Sequence, residues 1–245
     1  MNSTKNSLIV PAIIASLALI ACSLVVTRPI QALVSAKKSI TVTGSAKKQI
    51  KSDLATWNGN FSRQGDALPD VYGVMKADQA KIKAYLVAKG IPEKDITFQP
   101  VWTETIYAGD PKTGRMTNEV MGYRMMQSVQ VRSTDVEKIT TLSREASELI
   151  DQGVVFQSNP PQYLYTKLND VKIDMLAEAA KDAATRAEKM AAASGSKVGH
   201  LRAAKMGVFQ ITPLNSTEVA DYGINDTSSL DKEITAVVNA EFALE

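Results

Sequence analysis

The sequence predicts an α+β fold in which helices pack on one face of a mostly antiparallel, long-stranded sheet. Three observations support this prediction. Several segments alternate apolar and polar residues over many positions, which is the two-residue period of a half-buried strand. Other segments repeat apolar residues every three or four positions, as amphipathic helices do. The segments are ordered as strand pairs separated by single helices, which is typical of α+β architecture.

The first two predicted strands lie at the start of the folded region. Residues 40–43 alternate apolar and polar side chains, and this strand is expected to end at Gly44. Residues 54–63 alternate again, so every second side chain should face the core. The predicted inward residues of this second strand are Ala55, Trp57, Gly59 and Phe61.

A helix is expected next, with Asp66 as its N-cap and Pro69 in its first turn. Its end is predicted at Lys89 and Gly90, because glycine readily adopts the left-handed conformation that closes many helices. The apolar residues at helical spacing, which should face the core, are Val71, Val74, Met75, Ile82, Leu86 and Val87.

Two further long strands are expected to form an antiparallel hairpin. Residues 96–107 and 119–132 alternate, and the turn-rich residues 108–114 join them. Trp102, like Trp57, is predicted to lie in the core. The predicted inward residues are Ile96, Phe98, Trp102 and Ile106 on the first strand and Tyr123, Met125, Val129 and Val131 on the second.

The second half of the chain continues the pattern of helices and strand pairs, and the order is compatible with an internal ββαββ duplication. The predicted elements are a helix capped by Thr134 or Asp135 and ended by Gly153, short strands at 154–156 and 162–166, a long helix at 168–194, a strand at 201–211, a polar loop at 213–231 and a last strand at 232–244. The predicted core residues of the two helices are Ile139, Leu142, Ala146, Leu149 and Ile150, then Val171, Met175, Ala179, Ala183, Ala187 and Met190.

The N-terminus carries a long apolar segment. Residues 8–26 are 19 residues without a charge, close to the roughly 20 that a helix needs to cross a bilayer. We therefore divide the chain into residues 1–36, a signal-anchor or signal segment with a tether, and residues 37–245, the folded domain. The residues expected to contact the membrane are Leu8, Ile9, Ile13, Ile14, Leu17, Leu19, Ile20, Leu24, Val25 and Val26.

Three interpretations of this segment stay open. An uncleaved anchor would hold the protein on the periplasmic side of the bacterial inner membrane. A lipoprotein signal would lead to lipidation of Cys22, since residues 19–22 (LIAC) fit a lipobox, although apolar residues continue after the cysteine. Ordinary cleavage near residues 32–36 would release a secreted periplasmic protein. Positive charges on both sides of the segment give no clear orientation.

Charge and composition exclude several classes of protein. The chain has 28 basic and 26 acidic residues, and residues 1–36 hold two of the basic residues and no acid. The folded part is therefore neutral overall and lacks the positive surplus that nucleic-acid binding requires. One cysteine and one histidine exclude an intrachain disulfide and a Cys/His metal cluster. No nucleotide-loop, serine-hydrolase or zinc-protease motif occurs, so we predict no catalytic residue, metal or cofactor.

The remaining chemistry-bearing residues are weak candidates. His200 has no partner pattern and is interpreted as a surface residue. Neighbouring thioethers can bind Cu(I), but adjacent methionines on a strand point to opposite faces, which favours packing. Carboxylates could bind Ca²⁺, but their spacing fits no calcium loop, which favours a solvated loop. The methionines concerned are Met116, Met121, Met125 and Met126, and the acids are Glu218, Asp221, Asp226 and Asp231.

A set of short stretches occurs in a fixed order between residues 38 and 245. They are ITVTGSA at 40–46, IPEKDI at 91–96, GYR at 122–124, VQVR at 129–132, GVVF at 153–156, and the repeat Ala179, Ala183, Ala187 with Gly195 and Leu201. Together these stretches resemble the SIMPL domain family. Two departures are Ser45-Ala46, where the family has a second glycine, and Pro160-Pro161-Gln162-Tyr163, where it has a polar turn.

The resemblance implies an α+β fold and a relation to exported bacterial proteins of the periplasmic immunogenic protein type. It also implies a loose link to stress tolerance, including oxidative stress, and it offers no catalytic residues. We therefore expect a non-enzymatic cell-envelope protein, tethered by its N-terminal helix, that associates with itself or with other envelope proteins. The alternative is an envelope hydrolase that uses carboxylates alone, which requires acids with raised pKa values in one cleft.

Overall fold

The computed structural model describes residues 38–110 and 114–245, which form an α+β structure as predicted. The described residues form two compact units, and the chain passes between the units after residues 48, 168, 209 and 234. The six-stranded unit comprises residues 49–168 and 210–234, and the helix-backed unit comprises residues 38–48, 169–209 and 235–245. The strands are β1 (Ser39–Lys51), β2 (Leu54–Gly65), β3 (Ile96–Phe98), β4 (Trp102–Gly109), β5 (Met116–Ser133), β6 (Phe156–Ser158), β7 (Gln162–Leu164), β8 (Val198–Met206), β9 (Gln210–Pro213) and β10 (Asp231–Leu244). The helices are α1 (Leu68–Ala88), α2 (Val136–Glu145) and α3 (Leu168–Ala193), with 3-10 turns at Glu93–Asp95 and Ala146–Ile150.

The six-stranded unit is built on the long antiparallel pair of β2 and β5. These strands pair from Ala55 opposite Ser133 to Gly65 opposite Tyr123. β3 and β4 pair with the other side of β5, and β6 and β7 pair with the other side of β2. One face of this sheet is covered by α1 and α2, and the inward pattern predicted for β2 and β5 is confirmed. Fully buried core residues include Trp57, Phe61, Met75, Ile82, Leu86, Val129, Val131, Ile139 and Leu149.

The helix-backed unit places β10 between β1 and β8, with α3 against the strands. The predicted alanine repeat of α3 is confirmed, since Ala179, Ala183 and Ala187 are fully buried. The prediction that the first strand ends at Gly44 is wrong, because β1 continues through it to Lys51. A Cβ at Gly44 would lie 2.2 Å from the carbonyl oxygen of Ala179, so this glycine permits close approach of α3 rather than ending a strand.

Two predicted strands are each interrupted. Residues 96–107 form β3 and β4, separated at Gln99, Pro100 and Val101, because a proline has no N–H to donate to the ladder. Residues 201–211 likewise fall into β8 and β9. The prediction that Trp102 lies in the core is wrong: its side chain is 55% exposed on β4.

The helix ends and faces differ from prediction in a few positions. Asp66 is not the N-cap of α1, because the helix begins at Leu68 after Ala67, with Pro69 in the first turn as predicted. Asp135 does cap α2, accepting a hydrogen bond from the Lys138 N–H at 3.1 Å. The buried stripes also include Asp78 and Tyr85 on α1 and Ala191 on α3, which were not predicted. The predicted core residues that are exposed are Val74, Val87, Ile150 and Met190.

Candidate functional site: the open face and the arm

The second face of the six-stranded sheet carries polar side chains. Because neighbouring residues of a strand point to opposite faces, the residues between the core positions of β2 and β5 point away from α1 and α2. They are half-buried or exposed, and we call their surface the open face. Its members on the two long strands are Thr56, Asn58, Asn60, Ser62 and Gln64 from β2 and Arg124, Met126, Ser128, Gln130 and Arg132 from β5.

A groove of about 440 Å³ lies on the open face, within the size range of small-molecule sites. The strand register builds it from two neighbouring rows of side chains. The apolar row is Trp102 and Met126, which lie opposite each other on β4 and β5, and Ser62 on β2, opposite Met126, ends this row with a hydroxyl group. The polar row, one step further along, is Ser128, Asn60 and Gln157 on β5, β2 and β6.

A two-stranded arm extends from the same sheet. β2 pairs with β5 only as far as Tyr123, whereas β4 continues to pair with β5 to Gly109 opposite Met116. We call residues 106–109 and 116–122 the arm. It leaves the sheet at Gly122, where a Cβ would lie 2.8 Å from the Gly65 carbonyl oxygen. The large exposed apolar side chains on the arm are Tyr107, Met116, Val120 and Met121, at 43%, 75%, 47% and 63% exposure.

The predicted candidates do not come together into one site. Met125 lies in the core, Met126 lines the groove, and Met116 and Met121 lie on the arm. His200 is exposed on β8, and the loop acids Glu218, Asp221 and Asp231 are exposed. Among residues 38–110 and 114–245, no group of three or more His, Cys, Asp or Glu could hold a metal ion.

The predicted membrane residues, from Leu8 to Val26, and the predicted lipidation site Cys22 lie outside the described residues. Within the part of the chain that is described, no helix is long and apolar enough to cross a membrane.

A lysine that was not predicted from the sequence as a site residue is buried beneath the polar loop. Lys232 is only 2% exposed, and its ammonium group donates hydrogen bonds to the carbonyl oxygens of Tyr163 at 2.6 Å and Asp226 at 2.5 Å. Burial lowers the pKa of Lys232, and the negative charge of Asp226 opposes that shift. The signal was present, since Lys232 falls on the inward alternation of Ile234 and Ala236.

Lys232 and Gln210 together hold the loop at residues 214–230. The Gln210 side chain, 5% exposed, accepts a hydrogen bond from the Ile224 N–H at 2.9 Å and donates to the Ala220 carbonyl oxygen at 2.8 Å. This loop was predicted to be merely solvated. It is instead fixed from below by two buried polar side chains whose partners are mostly backbone groups, which satisfies those groups away from water.

The carboxyl groups with displaced pKa values are shifted downwards. Hydrogen bonds from Lys89 and Tyr85 lower the pKa of Glu148, and the Ser45 N–H and Arg186 lower that of Asp182. Burial opposes ionisation of Asp226, yet hydrogen bonds from nearby serines and the charge of Lys232 lower its pKa. A carboxyl that acts as a general acid near neutral pH needs the opposite shift.

The fold therefore defines an α+β protein whose six-stranded sheet has one helix-covered face and one open polar face with a projecting arm. The chain belongs to the SIMPL family, described as a protein of unknown function (DUF541), whose family model matches residues 40–242. The resemblance inferred from the sequence is thereby confirmed.

No curated protein matches the chain. A crystal structure of an amidase of the hydantoinase/carbamoylase family from Burkholderia phymatum is similar to it at 13% sequence identity, with a TM-score of 0.27. That match covers 58% of this chain and 36% of the amidase chain, and at this level of similarity it supports no argument about fold or function.

Proposed function

We propose that this SIMPL-family protein is a non-enzymatic component of the bacterial cell envelope that assembles with copies of itself through the arm. The arm is the observation that supports assembly. A two-stranded ribbon is at best marginally stable in water without a surface to pack on. Here both strands expose apolar side chains, Tyr107 on β4 and Met116 and Met121 on β5. A second copy packed on the arm would remove that apolar surface from water and stabilise both copies.

The edge and charge of the molecule also support association. Among the described residues, β4 pairs with β5 alone, so its other edge presents unpaired backbone groups, which tend to recruit another strand. Its single charged residue, Glu104, lies 3.4 Å from Arg124 on the neighbouring strand. The folded part has equal numbers of acidic and basic residues, so long-range repulsion between copies is absent.

Light scattering on residues 37–245 tests assembly. The expected result is a mass of more than one chain that persists on dilution to tens of micromolar. A mass of one chain that does not change on further concentration would contradict the proposal.

The apolar N-terminal segment supports a membrane location. We expect residues 8–26 to keep the full chain in the membrane fraction and deletion of residues 1–36 to release it, measured by fractionation and mass spectrometry. Recovery of the intact full-length chain in the soluble fraction would contradict the anchor.

Replacement Cys22→Ser separates the anchored alternatives, because only a lipoprotein would lose processing and membrane retention. Ordinary cleavage would instead yield a soluble, shortened periplasmic protein.

A role in tolerance of stress, including oxidative stress, completes the proposal and is supported by the family resemblance. The test is survival of a deletion strain under peroxide, complemented with the wild type or with an arm variant such as Met121→Glu. Rescue by the wild type alone would link tolerance to assembly. Equal survival with and without the gene would contradict the role.

A further inference from the structure

The groove on the open face has the chemistry of a binding site, and it lies apart from the arm. Its apolar row offers an exposed indole, since Trp102 is 55% exposed beside Met126 at 38%. Exposed apolar side chains rimmed by polar residues are a feature of ligand-binding grooves. On the same face the neighbouring row is polar, at a spacing of about 7 Å along the strands.

The polar side chains of the groove have hydrogen-bonding capacity to spare. The Ser128 hydroxyl donates to the Asn60 side-chain oxygen at 2.7 Å, which orients the amide and leaves both of its N–H donors available. The amide of Gln157 and the hydroxyl of Ser62 have no hydrogen-bond partner within residues 38–110 and 114–245, and both line the groove. The groove therefore presents an oriented donor beside two adaptable polar groups.

The charge of the groove limits what it can bind. Asp, Glu, Lys, Arg and His are all missing from its lining within the described residues, so it offers no counter-charge to a phosphate, a carboxylate or an amine. A wholly apolar ligand would desolvate the amides without pairing them, at a cost in free energy. A ligand that matches both rows is uncharged, has one face of C–H groups and carries hydroxyl groups around its rim.

We propose that the groove binds a neutral oligosaccharide, with a sugar ring stacked on Trp102 and its hydroxyl groups paired with Asn60 and Gln157. Both requirements are met by a pyranose ring, whose C–H face packs on an aromatic ring and whose equatorial hydroxyls point outwards. This binding does not depend on assembly, because the groove residues come from β2, β4, β5 and β6 of one chain.

Calorimetric titration of the full-length chain tests the proposal, in a detergent without a sugar headgroup. The probes are a tetramer of N-acetylglucosamine and a tetramer of glucose, which separate acetamido sugars from plain hexoses. We expect saturable binding of at least one of them. Trp102→Ala and Asn60→Ala should each weaken it, Trp102→Ala by about tenfold or more. Tyr107→Ala removes an exposed aromatic side chain from the arm and is the matched control that should bind like the wild type.

Tryptophan fluorescence gives a second readout. Trp57 is fully buried, so a ligand-induced change in emission should come from Trp102 and should be weakened or lost in Asn60→Ala. Absence of heat and of any emission change with both tetramers at millimolar concentration would overturn the proposal. Equal binding by wild type and Trp102→Ala would overturn it too, because the ligand would then bind elsewhere. Loss of assembly in an arm variant that still binds sugar would leave this inference standing.

Discussion

The two faces of β2 and β5 belong to the same strands and have opposite chemistry. On one face, Trp57 and Phe61 are at most 1% exposed and pack beneath α1 and α2. On the other face, Asn60 and Ser62 alternate with them and line the groove. The covered face therefore contributes most of the stability, and the open face carries the groove. Substitutions on the covered face can lower stability with little effect on the shape of the groove.

The two tryptophans of the chain lie one on each face, Trp57 on the covered face and Trp102 on the open face. Trp57 donates a hydrogen bond to the Ser158 hydroxyl at 2.9 Å, and its ring lies 6.0 Å from that of Phe156. Trp102 lies on the open face with more than half of its side chain exposed. Each side chain is therefore a probe of the face on which it lies.

The largest expected effect is on the covered face. Trp57→Ala should lower the free energy of unfolding by about 3–5 kcal/mol, because it leaves a large cavity and the Ser158 hydroxyl without its donor. Urea unfolding followed by circular dichroism measures it. A loss below about 1 kcal/mol would show that this face does not form the main core.

The buried lysine should give an intermediate effect. Lys232→Met keeps an unbranched side chain that is one heavy atom shorter, and it leaves the carbonyl oxygens of Tyr163 and Asp226 without the ammonium donor. We expect a loss of about 1–3 kcal/mol at neutral pH, because unsatisfied buried carbonyls retain their desolvation cost. Thermal or urea unfolding measures it, and a variant as stable as the wild type would contradict the structural role of Lys232.

The same variant has a predicted pH signature. The pKa of Lys232 in the folded protein is lowered from 10.5, so between its folded and unfolded values the unfolded chain binds more protons. Stability contributed by this group therefore rises with pH in that window. The difference in unfolding free energy between wild type and Lys232→Met should increase towards pH 10.5 and stay flat at lower pH, down to the range in which Asp226 titrates. A difference that falls as the pH rises would contradict the lowered pKa.

The sequence was informative where periodicity alone decides the structure, as for Ala55, Trp57 and Phe61 on β2. The sequence led to a wrong prediction where a contact distant in the chain determines the structure. Gly44 was predicted to end a strand because its contact with Ala179 on α3 cannot be seen from the neighbouring residues. The position of Trp102 depends on Pro100 breaking the strand and on which face the helices cover. Lys232 fits the inward alternation of β10, but a charged lysine side chain is ordinarily expected to lie in solvent. The groove requires the register of four strands, which no single segment encodes.

The smallest effect on stability should come from the open face. Trp102→Ala should change the free energy of unfolding by no more than about 0.5 kcal/mol, because the side chain is already largely in water. The measurement is the same urea titration used for Trp57→Ala. A loss as large as that of Trp57→Ala would mean that the two faces are not energetically distinct.

We propose that copies associate through the arm, and the oligomeric state of an arm variant and a control variant tests this directly. Sedimentation velocity of residues 37–245 should be measured for the wild type, for the arm variant Met121→Glu and for the control Val219→Glu. Met121 and Val219 are 63% and 78% exposed, so both substitutions add a charge at an already exposed apolar position. We expect the wild type and Val219→Glu to sediment as the same oligomer and Met121→Glu to sediment as a single chain. A Met121→Glu variant that sediments like the wild type, or a wild type that is already a single chain, would contradict it.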